Sequence, residues 1–261
     1  MRLFDSYKLK SLLKKGVGLE NQGNYLEALE CYDKAGKLDP ENFYVWYNKG
    51  VSFSKMGRYS EALECYDKAI KINPKDFRAW YNKGNAFNGL EKYEKSIKSF
   101  DKALKLKPNF SSAWNNKGNA LRYLERFEEA INNYDHALKL DKNHVKALNS
   151  KGMIFKDLEN YKNALECFDK VLNINPVFVD AWINKGDTLN YLEMYEDALK
   201  CFDEALKLDA DNLKALTYKG LTLVLVKKPQ KALEYFNRVL DVNSDFEPAK
   251  KAKDKILSSM S

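Results

Sequence analysis

Histidine and cysteine are scarce in this chain of 261 residues, which holds two histidines and four cysteines. His136 and His144 stand alone, because no Ser/His/Asp, Cys/His or metal-ligand spacing accompanies them. No glycine-rich phosphate loop follows a predicted strand either. Acidic residues are abundant, but they recur at regular intervals and indicate a solvated helix face. We therefore predict a non-enzymatic protein that uses no cofactor and no metal.

Long apolar runs are also missing. The first ten residues contain none long enough for a signal peptide, and no later run approaches the roughly 18 apolar residues of a membrane span. The spacing from Cys31 to Cys65 recurs from Cys167 to Cys201, and the gap between the two pairs is a multiple of it. In a stacked array this spacing exceeds the about 4.4–6.8 Å between Cα atoms that a disulfide needs. We expect a soluble, cytoplasmic protein with free thiols.

One fixed interval organises the chain. The pair Lys-Gly recurs at this interval, with its glycines at Gly16, Gly50, Gly84, Gly118, Gly152, Gly186 and Gly220. A period of about 34 residues is typical of stacked helical arrays, in which each repeat buries its apolar face only against its neighbours. We predict seven repeats, at 9–42, 43–76, 77–110, 111–144, 145–178, 179–212 and 213–246.

Each repeat contains two helical patterns. In the third repeat, Trp80, Gly84 and Phe87 line one face of the first helix, and Ile97 and Phe100 follow the same period in the second helix. Short turns separate the repeats, and four of them carry a proline that ends one helix and precedes the next. These prolines are Pro40, Pro74, Pro108 and Pro176.

The two ends of the array differ from its middle. Residues 1–8 are predicted to be a lead-in, with Asp5 or Ser6 as N-cap and with apolar side chains that cover the first open face. Those apolar residues are Leu3, Phe4 and Tyr7. In the seventh repeat Pro229 replaces an aromatic residue, as expected of an atypical terminal repeat. Residues 247–261 are predicted to form a capping helix that starts near Pro248.

Taken together, these positions resemble the tetratricopeptide repeat family, whose signature is Trp-x2-Leu-Gly-x2-Tyr, then Ala-x3-Phe, then Pro. The second repeat shows it as Trp46, Gly50, Phe53, Ala62, Tyr66 and Pro74, and the sixth as Trp182, Gly186, Leu189, Ala198 and Phe202. The resemblance covers 9–246. It implies an all-α fold, a right-handed α-solenoid superhelix of seven helix-turn-helix units plus the C-terminal capping helix. It also implies a protein–protein interaction scaffold.

Lysine stands before every recurrent glycine, where the family signature has leucine. Aspartate recurs in the second helices, at Asp33, Asp67, Asp101, Asp135, Asp169 and Asp203. An internal ladder of Lys/Asp pairs and a functional basic stripe both fit this pattern. The first helices carry net positive charge and the second helices net negative charge, within an overall charge of +7. A basic face would attract acidic partners.

In the family, the first helices line a concave groove, and the resemblance places polar and aromatic residues there. We predict that a protein partner binds this groove as an extended or helical segment, which we expect to be acidic. The candidate residues are Tyr44, Tyr47, Asn48, Arg78, Tyr81, Asn82, Asn85, Asn116, Asn119, Arg122, Lys146 and Asn184. The recurrent asparagines are either a peptide-binding ladder, since an amide both donates and accepts, or simply family consensus.

The expected roles divide by chemistry. Asparagines fix the partner's main chain, Tyr47 and Tyr81 accept apolar side chains, and Arg78 and Lys146 select acidic ones. Chaperone-binding members of the family use a carboxylate clamp of asparagines and basic residues. Asn85, Asn116 and Lys146 match three of its places, but Tyr81 and Ser150 stand where basic residues are required. The clamp is therefore incomplete.

Two alternatives stay open. Nucleic acid, RNA in particular, is attracted by a basic groove, and Tyr44, Tyr47, Tyr81 and Tyr123 offer stacking platforms. Arginine is scarce, however, and the sixth repeat reverses the sign of the charge. The other alternative is self-association through Leu221, Val224 and Leu225, which occupy places that are polar in the middle repeats.

Overall fold

In a computed structural model of the chain, residues 3–260 are described, and within this range there are fifteen α-helices and no strand. They are α1 (Leu3–Asn21), α2 (Tyr25–Leu38), α3 (Phe43–Lys55), α4 (Tyr59–Ile72), α5 (Phe77–Gly89), α6 (Tyr93–Leu106), α7 (Ser111–Tyr123), α8 (Phe127–Leu140), α9 (Val145–Asp157), α10 (Tyr161–Ile174), α11 (Val179–Tyr191), α12 (Tyr195–Leu208), α13 (Leu213–Leu225), α14 (Pro229–Val242) and α15 (Glu247–Met260). Odd-numbered helices up to α13 are the first helices of the repeats, and even-numbered ones are the second helices. The predicted all-α array of consecutive helix pairs is confirmed.

The chain divides into two compact blocks, one ending at Lys142 and the other beginning at Asn143. The N-terminal block holds α1–α8 and the C-terminal block holds α9–α15. Within each block a first helix packs against its own second helix, and that second helix packs against the following first helix. Neighbouring first helices also touch, as α3 and α5 do. Each block therefore has one layer of first helices and one of second helices.

The recurrent glycine of each first helix lets an aromatic ring come close. A Cβ atom on Gly84 would lie 2.6 Å from Cε1 of Phe100, and one on Gly118 would lie 2.7 Å from Cε1 of Tyr134. Both rings are fully buried, so they have no space to move aside. This ring contact is the packing gain that offsets the cost of glycine inside a helix.

Each first helix ends in a left-handed residue. Gly23 and Gly57 supply it in the first two repeats, with φ of 82° and 74°. In the next four repeats a glutamate takes that place, as at Glu125, whose φ is 57°. There the N–H of Arg126 donates to the carbonyl oxygen of Leu121 at 3.0 Å, which closes the helix in a Schellman motif.

Each tryptophan is hydrogen-bonded to the proline of the turn that precedes its repeat. Nε1 of Trp114 donates to the carbonyl oxygen of Pro108 at 2.8 Å. The same bond links Trp46 to Pro40, Trp80 to Pro74 and Trp182 to Pro176. Where Leu148 and Leu216 replace tryptophan, the preceding turn has no proline. The tryptophan and the proline thus act together, and their hydrogen bond fixes the turn that leads into the first helix.

The predicted N-terminal lead-in requires a correction. Helix α1 already begins at Leu3, so Asp5 and Ser6 lie inside it and neither is its N-cap. Tyr7 is 76% exposed and covers no apolar face. The side chains of Leu3 and Phe4 lie outside the described part of the structure. Continuous helix is favoured here because no proline lies between Asp5 and Asn21 to interrupt the backbone hydrogen bonds.

At the other end, α15 packs against α14 and α13. Ala249 and Ile256 are its buried residues, and Ala249 lies one full repeat after Ala215, which is buried at the equivalent place of α13. Helix α15 therefore stands where the first helix of an eighth repeat would begin. It leaves Leu221, Val224 and Leu225 of α13 between 38% and 53% exposed.

All four cysteines are buried, and none of them is assigned to a disulfide. Burial raises the pKa of Cys65 and of Cys201 to about 11. The thiols of Cys65 and Cys201 are therefore protonated at neutral pH, which makes them poor nucleophiles. Among residues 3–260, no helix combines the length and the apolar character needed to cross a membrane.

Candidate functional site

The predicted groove residues all lie on first helices, but the two blocks hold them unequally. Ten are on α3, α5 and α7 of the N-terminal block, whereas Lys146 and Asn184 are on α9 and α11 of the C-terminal block. The candidate site is therefore built within the N-terminal block. We call the surface that α3, α5 and α7 present away from the second helices the first-helix face.

Asparagines on this face bond to tyrosines of the preceding repeat. Nδ2 of Asn82 on α5 donates to the hydroxyl of Tyr47 on α3 at 3.0 Å. Nδ2 of Asn116 on α7 donates to the hydroxyl of Tyr81 on α5, also at 3.0 Å. In both cases the partners belong to consecutive repeats, so the asparagine line ties each repeat to the one before it. This contact between repeats was not predicted from the sequence.

The asparagines differ in what they leave for a ligand. Both polar atoms of the Asn116 amide are engaged in hydrogen bonds. Besides its bond to Tyr81, Nδ2 donates to Oδ1 of Asn85 at 2.8 Å, and Oδ1 accepts from Nδ2 of Asn115 at 3.0 Å. Oδ1 of Asn82 accepts no hydrogen bond from any described residue, and the side chain of Asn48 makes none with them. Asn119 already accepts from the hydroxyl of Tyr134 at 2.8 Å. Asn48 and Asn82 thus keep an unused acceptor, whereas Asn85 and Asn119 have Oδ1 occupied and only Nδ2 to spare.

The predicted tyrosines form two groups. Tyr47 and Tyr81 are half-buried, and their rings pack on Phe43 and Phe110 with centroids 5.5 Å and 4.8 Å apart. Tyr44 is 52% exposed. Tyr47 and Tyr81 therefore contribute to the packing of the face as well as to its surface, which reduces the ring area that they offer to a partner.

Arg78 is not a free positive charge. Its Nη2 lies 2.6 Å from Oδ2 of Asp76, and its Nε donates to Oδ1 of the same carboxylate at 3.0 Å. The guanidinium also lies 5.3 Å from the ring centroid of Tyr47. Arg78 was expected to select acidic side chains of a partner. The pairing argues against this role, because the carboxylate of Asp76 already neutralises the guanidinium.

The lysines before glycine are internally paired. Nζ of Lys117 on α7 lies 2.7 Å from Oδ1 of Asp101 on α6, sixteen residues earlier. The same spacing pairs Lys49 with Asp33, Lys83 with Asp67, Lys185 with Asp169 and Lys219 with Asp203. The sequence allowed either an internal ladder of Lys/Asp pairs or a functional basic stripe. For these five lysines the structure shows the internal ladder. The positive charge of the first helices is correspondingly smaller at the surface than the sequence suggests.

A cavity of about 300 Å³ opens between α3 and α5. Its lining is Val51, Ser54, Lys55, Tyr59, Tyr66, Asn82, Asn85 and Ala86. Asn82 and Asn85 were predicted, whereas Val51, Ser54 and Lys55 were missed. Val51 and Lys55 follow Asn48 by three and seven residues, so helical spacing from the asparagine line could have revealed them. Tyr59 comes from α4, and nothing in the first-helix pattern points to it.

Three buried polar atoms on α5 and α7 have no partner within the described chain, Oδ1 of Asn88 on α5 and Oδ1 of Asn115 and Nε of Arg122 on α7. The guanidinium of Arg122 stacks on the ring of Tyr123 at 4.9 Å. Such orphan atoms are rare in proteins, since an unmade hydrogen bond in a buried place is costly. These atoms therefore carry hydrogen-bonding capacity that the described chain leaves unmet.

The remaining predicted residues lie in the C-terminal block. Lys146 is exposed at the start of α9. Nδ2 of Asn184 on α11 donates to Oδ1 of Asn149 on α9 at 3.1 Å, which repeats the link seen between Asn116 and Tyr81. Nearby, Lys156 and Asp187 form an ion pair with little solvent exposure. The asparagine link between repeats is therefore present in both blocks.

Family models identify the repeats. The tetratricopeptide repeat model matches five consecutive stretches, 43–76, 77–110, 111–144, 145–178 and 179–212. A further model, described as a TPR repeat, matches 21–57. These five stretches have the boundaries of the second to sixth predicted repeats. No curated protein matches the chain significantly.

Solved structures share the fold. A tetratricopeptide repeat protein from Parabacteroides merdae gives a TM-score of 0.77 at 17% identity, over 96% of this chain and 99% of that chain. The APC/C hetero-tetramer Cut9-Hcn1 gives a TM-score of 0.77 at 18% identity over 93% of this chain. This chain spans about half, 48%, of the matched chain. YrrB, a TPR protein with an unusual peptide-binding site, gives 0.55 at 26% identity over 74% of this chain and 99% of its own. The first two matches show the fold alone.

Proposed function

Because the chain belongs to the tetratricopeptide repeat family, we propose that its first-helix face binds an extended segment of a partner protein. Proteins of this family generally mediate protein–protein interactions. The peptide-binding site named for YrrB, which is 26% identical to this chain, supports a peptide as ligand. The observation that carries the proposal is the cavity between α3 and α5.

The cavity offers what one side chain and its neighbouring peptide groups require. Val51, Ala86 and the ring of Tyr59 supply apolar walls, and Oδ1 of Asn82 is an acceptor that no described residue uses. Lys55 is exposed at the rim. A volume of about 300 Å³ is at the lower end of the range for ligand sites. The cavity has room for one large side chain and its adjoining peptide groups.

The test is selection of twelve-residue peptides from a random display library on the full chain. We expect Val51→Phe to fill the cavity and to weaken the recovered peptides about tenfold or more. Val17→Phe is the matched control, because Val17 lies one repeat earlier at the same place of α1, 41% exposed and outside the cavity. Equal binding by the two variants, or recovery of no peptide by the wild type, would refute the proposal.

Nucleic-acid binding receives less support. Five lysines before glycine are paired with aspartates, and Tyr47 and Tyr81 are half-buried in aromatic contacts. A basic groove would show a steep loss of affinity with salt. Titration of a labelled single-stranded RNA at two salt concentrations distinguishes this function from peptide binding.

Exposure of three apolar side chains favours a second candidate function, self-association of the C-terminal block. Leu221, Val224 and Leu225 lie on α13 and remain uncovered by α15. If they join two copies, light scattering will give a mass above 30.2 kDa, and Leu221→Ser/Leu225→Ser will restore the monomer. A monomeric wild type at high concentration would exclude this function.

A further inference from the structure

We propose that Arg122 receives the carboxylate of an aspartate or glutamate in the bound segment. The inference rests on the proposed function and adds the chemistry of the partner. It replaces the expectation that Arg78 selects acidic side chains, since the carboxylate of Asp76 occupies Arg78.

Arg122 differs from the other arginines. Of those between residues 5 and 258, it alone has no carboxylate within 4.0 Å. The paired ones are Arg58 with Glu61, Arg78 with Asp76, Arg126 with Glu129 and Arg238 with Asp211. The guanidinium of Arg122 is half-buried, and its Nε is cut off from solvent without an acceptor. A half-buried guanidinium without a counter-ion gains more from a carboxylate than an exposed one does.

The guanidinium is also held in place. Its central carbon lies 4.9 Å from the ring centroid of Tyr123. That ring stacks on Tyr93 with centroids 4.9 Å apart and planes 8° from parallel. A side chain fixed in this way loses little freedom when it binds. The planar fork of an arginine matches the two oxygens of a carboxylate.

The other cations of α3, α5 and α7 suit this role less well. Lys49, Lys83 and Lys117 have aspartate partners. Lys55 is exposed at the cavity rim, where water and salt screen its charge. Arg122 is therefore the position on α3, α5 and α7 at which a carboxylate finds an unmatched and preorganised partner.

The position of Arg122 predicts a spacing in the ligand. The cavity lies between α3 and α5, and Arg122 lies on α7, which is about one and a half helix spacings further. Packed helices are about 8–10 Å apart, so the separation is roughly 12–15 Å. An extended chain rises about 3.3 Å per residue. The carboxylate should therefore lie about four residues from the side chain that fills the cavity.

The probes are the twelve-residue peptides recovered from the display selection, each synthesised with its acidic residue, with glutamine and with phosphoserine at that place. Fluorescence anisotropy compares wild type, Arg122→Gln and Arg126→Gln. Arg126 is the matched control, since Arg126→Gln removes the same charge from a guanidinium that Glu129 already pairs. Circular dichroism checks that each variant is folded.

We expect glutamine in the peptide to weaken wild-type binding about tenfold. With Arg122→Gln that difference should fall below about twofold, whereas Arg126→Gln should behave as wild type. Full discrimination by Arg122→Gln would overturn the inference, as would peptides without an enriched acidic residue. Binding of the phosphoserine peptide alone would exclude a carboxylate.

The two proposals fail in different ways. If the wild type recovers peptides that Val51→Phe no longer binds, peptide binding stands. In that case an Arg122→Gln result equal to wild type refutes only the carboxylate. If the wild type recovers no peptide, both proposals fall.

Discussion

The amide of Asn116 on α7 donates to the hydroxyl of Tyr81 on α5 at 3.0 Å. The two residues belong to consecutive repeats. Because each repeat depends on its neighbours for burial, a polar bond across the boundary stabilises the array as well as shaping its surface. An asparagine here therefore has a structural role whether or not a ligand uses it.

Removing this bond should destabilise the protein. We expect Asn116→Ala to lower the free energy of unfolding by about 1–3 kcal/mol, because it leaves Tyr81 and Asn85 without their donor. Asn48→Ala is the control, since the side chain of Asn48 bonds to no described residue. Urea unfolding followed by circular dichroism measures both changes. Equal stability of the two variants would contradict the role given to Asn116.

Glycine at the ring contact should be irreplaceable. We expect Gly84→Ala to cost about 1–3 kcal/mol, because the new methyl group would lie 2.6 Å from the buried ring of Phe100. Gly18→Ala should instead stabilise α1 by about 0.5–1 kcal/mol, since a Cβ there has nothing within 4 Å. Thermal unfolding of both variants gives the sign of each effect. Loss of stability in both would disprove the explanation by ring contact.

Replacing a glutamate that has a left-handed backbone conformation by glycine should stabilise the protein. We expect Glu125→Gly to raise the free energy of unfolding by about 1 kcal/mol, because a side chain in this conformation is strained. Gly57→Ala tests the reverse change at an equivalent place and should lower it by a similar amount. Chemical denaturation of the two single variants measures both changes, and effects of the same sign would contradict backbone strain at this place.

Glu20 should give the protein a pH dependence of unusual sign. Burial raises the pKa of this carboxyl, although hydrogen bonds from Tyr32 and Ser52 and the charge of Lys55 oppose the shift. The folded state therefore holds the proton more tightly than the unfolded state, and the stability due to Glu20 falls as pH rises through the raised pKa. Glu20→Gln keeps an acceptor for Tyr32 and removes the titration.

We expect Glu20→Gln to gain stability relative to wild type between about pH 4 and pH 7. Unfolding of both proteins by urea at the two pH values isolates this group, because every other carboxyl is common to them. A difference that is constant with pH, or that shrinks as pH rises, would mean that burial does not govern Glu20.

Much of the fold follows from spacing alone. The regular recurrence of Lys-Gly places every first helix, and the four prolines mark the turns before α3, α5, α7 and α11. The start of α1 cannot be predicted from the spacing. Asp5 and Ser6 are capping residue types and predict a helix boundary, but the helix continues through both. Side-chain type alone cannot tell an N-cap from a position inside a helix.

The candidate site is less predictable. Helical periodicity identifies residues on the first-helix face, and ten predicted residues do lie on α3, α5 and α7. It does not show that Arg78 is paired with Asp76, two residues earlier, or that Tyr59 reaches the cavity from α4. These facts depend on side-chain orientation and on packing between helices. Among the described arginines Arg122 alone lacks a carboxylate partner, and this can be seen only when the charge pairs of the others are known.

The hydrogen bond from each indole to a proline carbonyl gives the protein its own optical reporters. Trp46, Trp80 and Trp114 belong to the N-terminal block and Trp182 alone to the C-terminal block. Each indole is hydrogen-bonded to the turn that precedes its repeat, so its emission changes when that turn unfolds. A chain that keeps only Trp182 emits from the C-terminal block, and one that lacks it emits from the N-terminal block. The order in which the two blocks melt can thus be followed without an added dye.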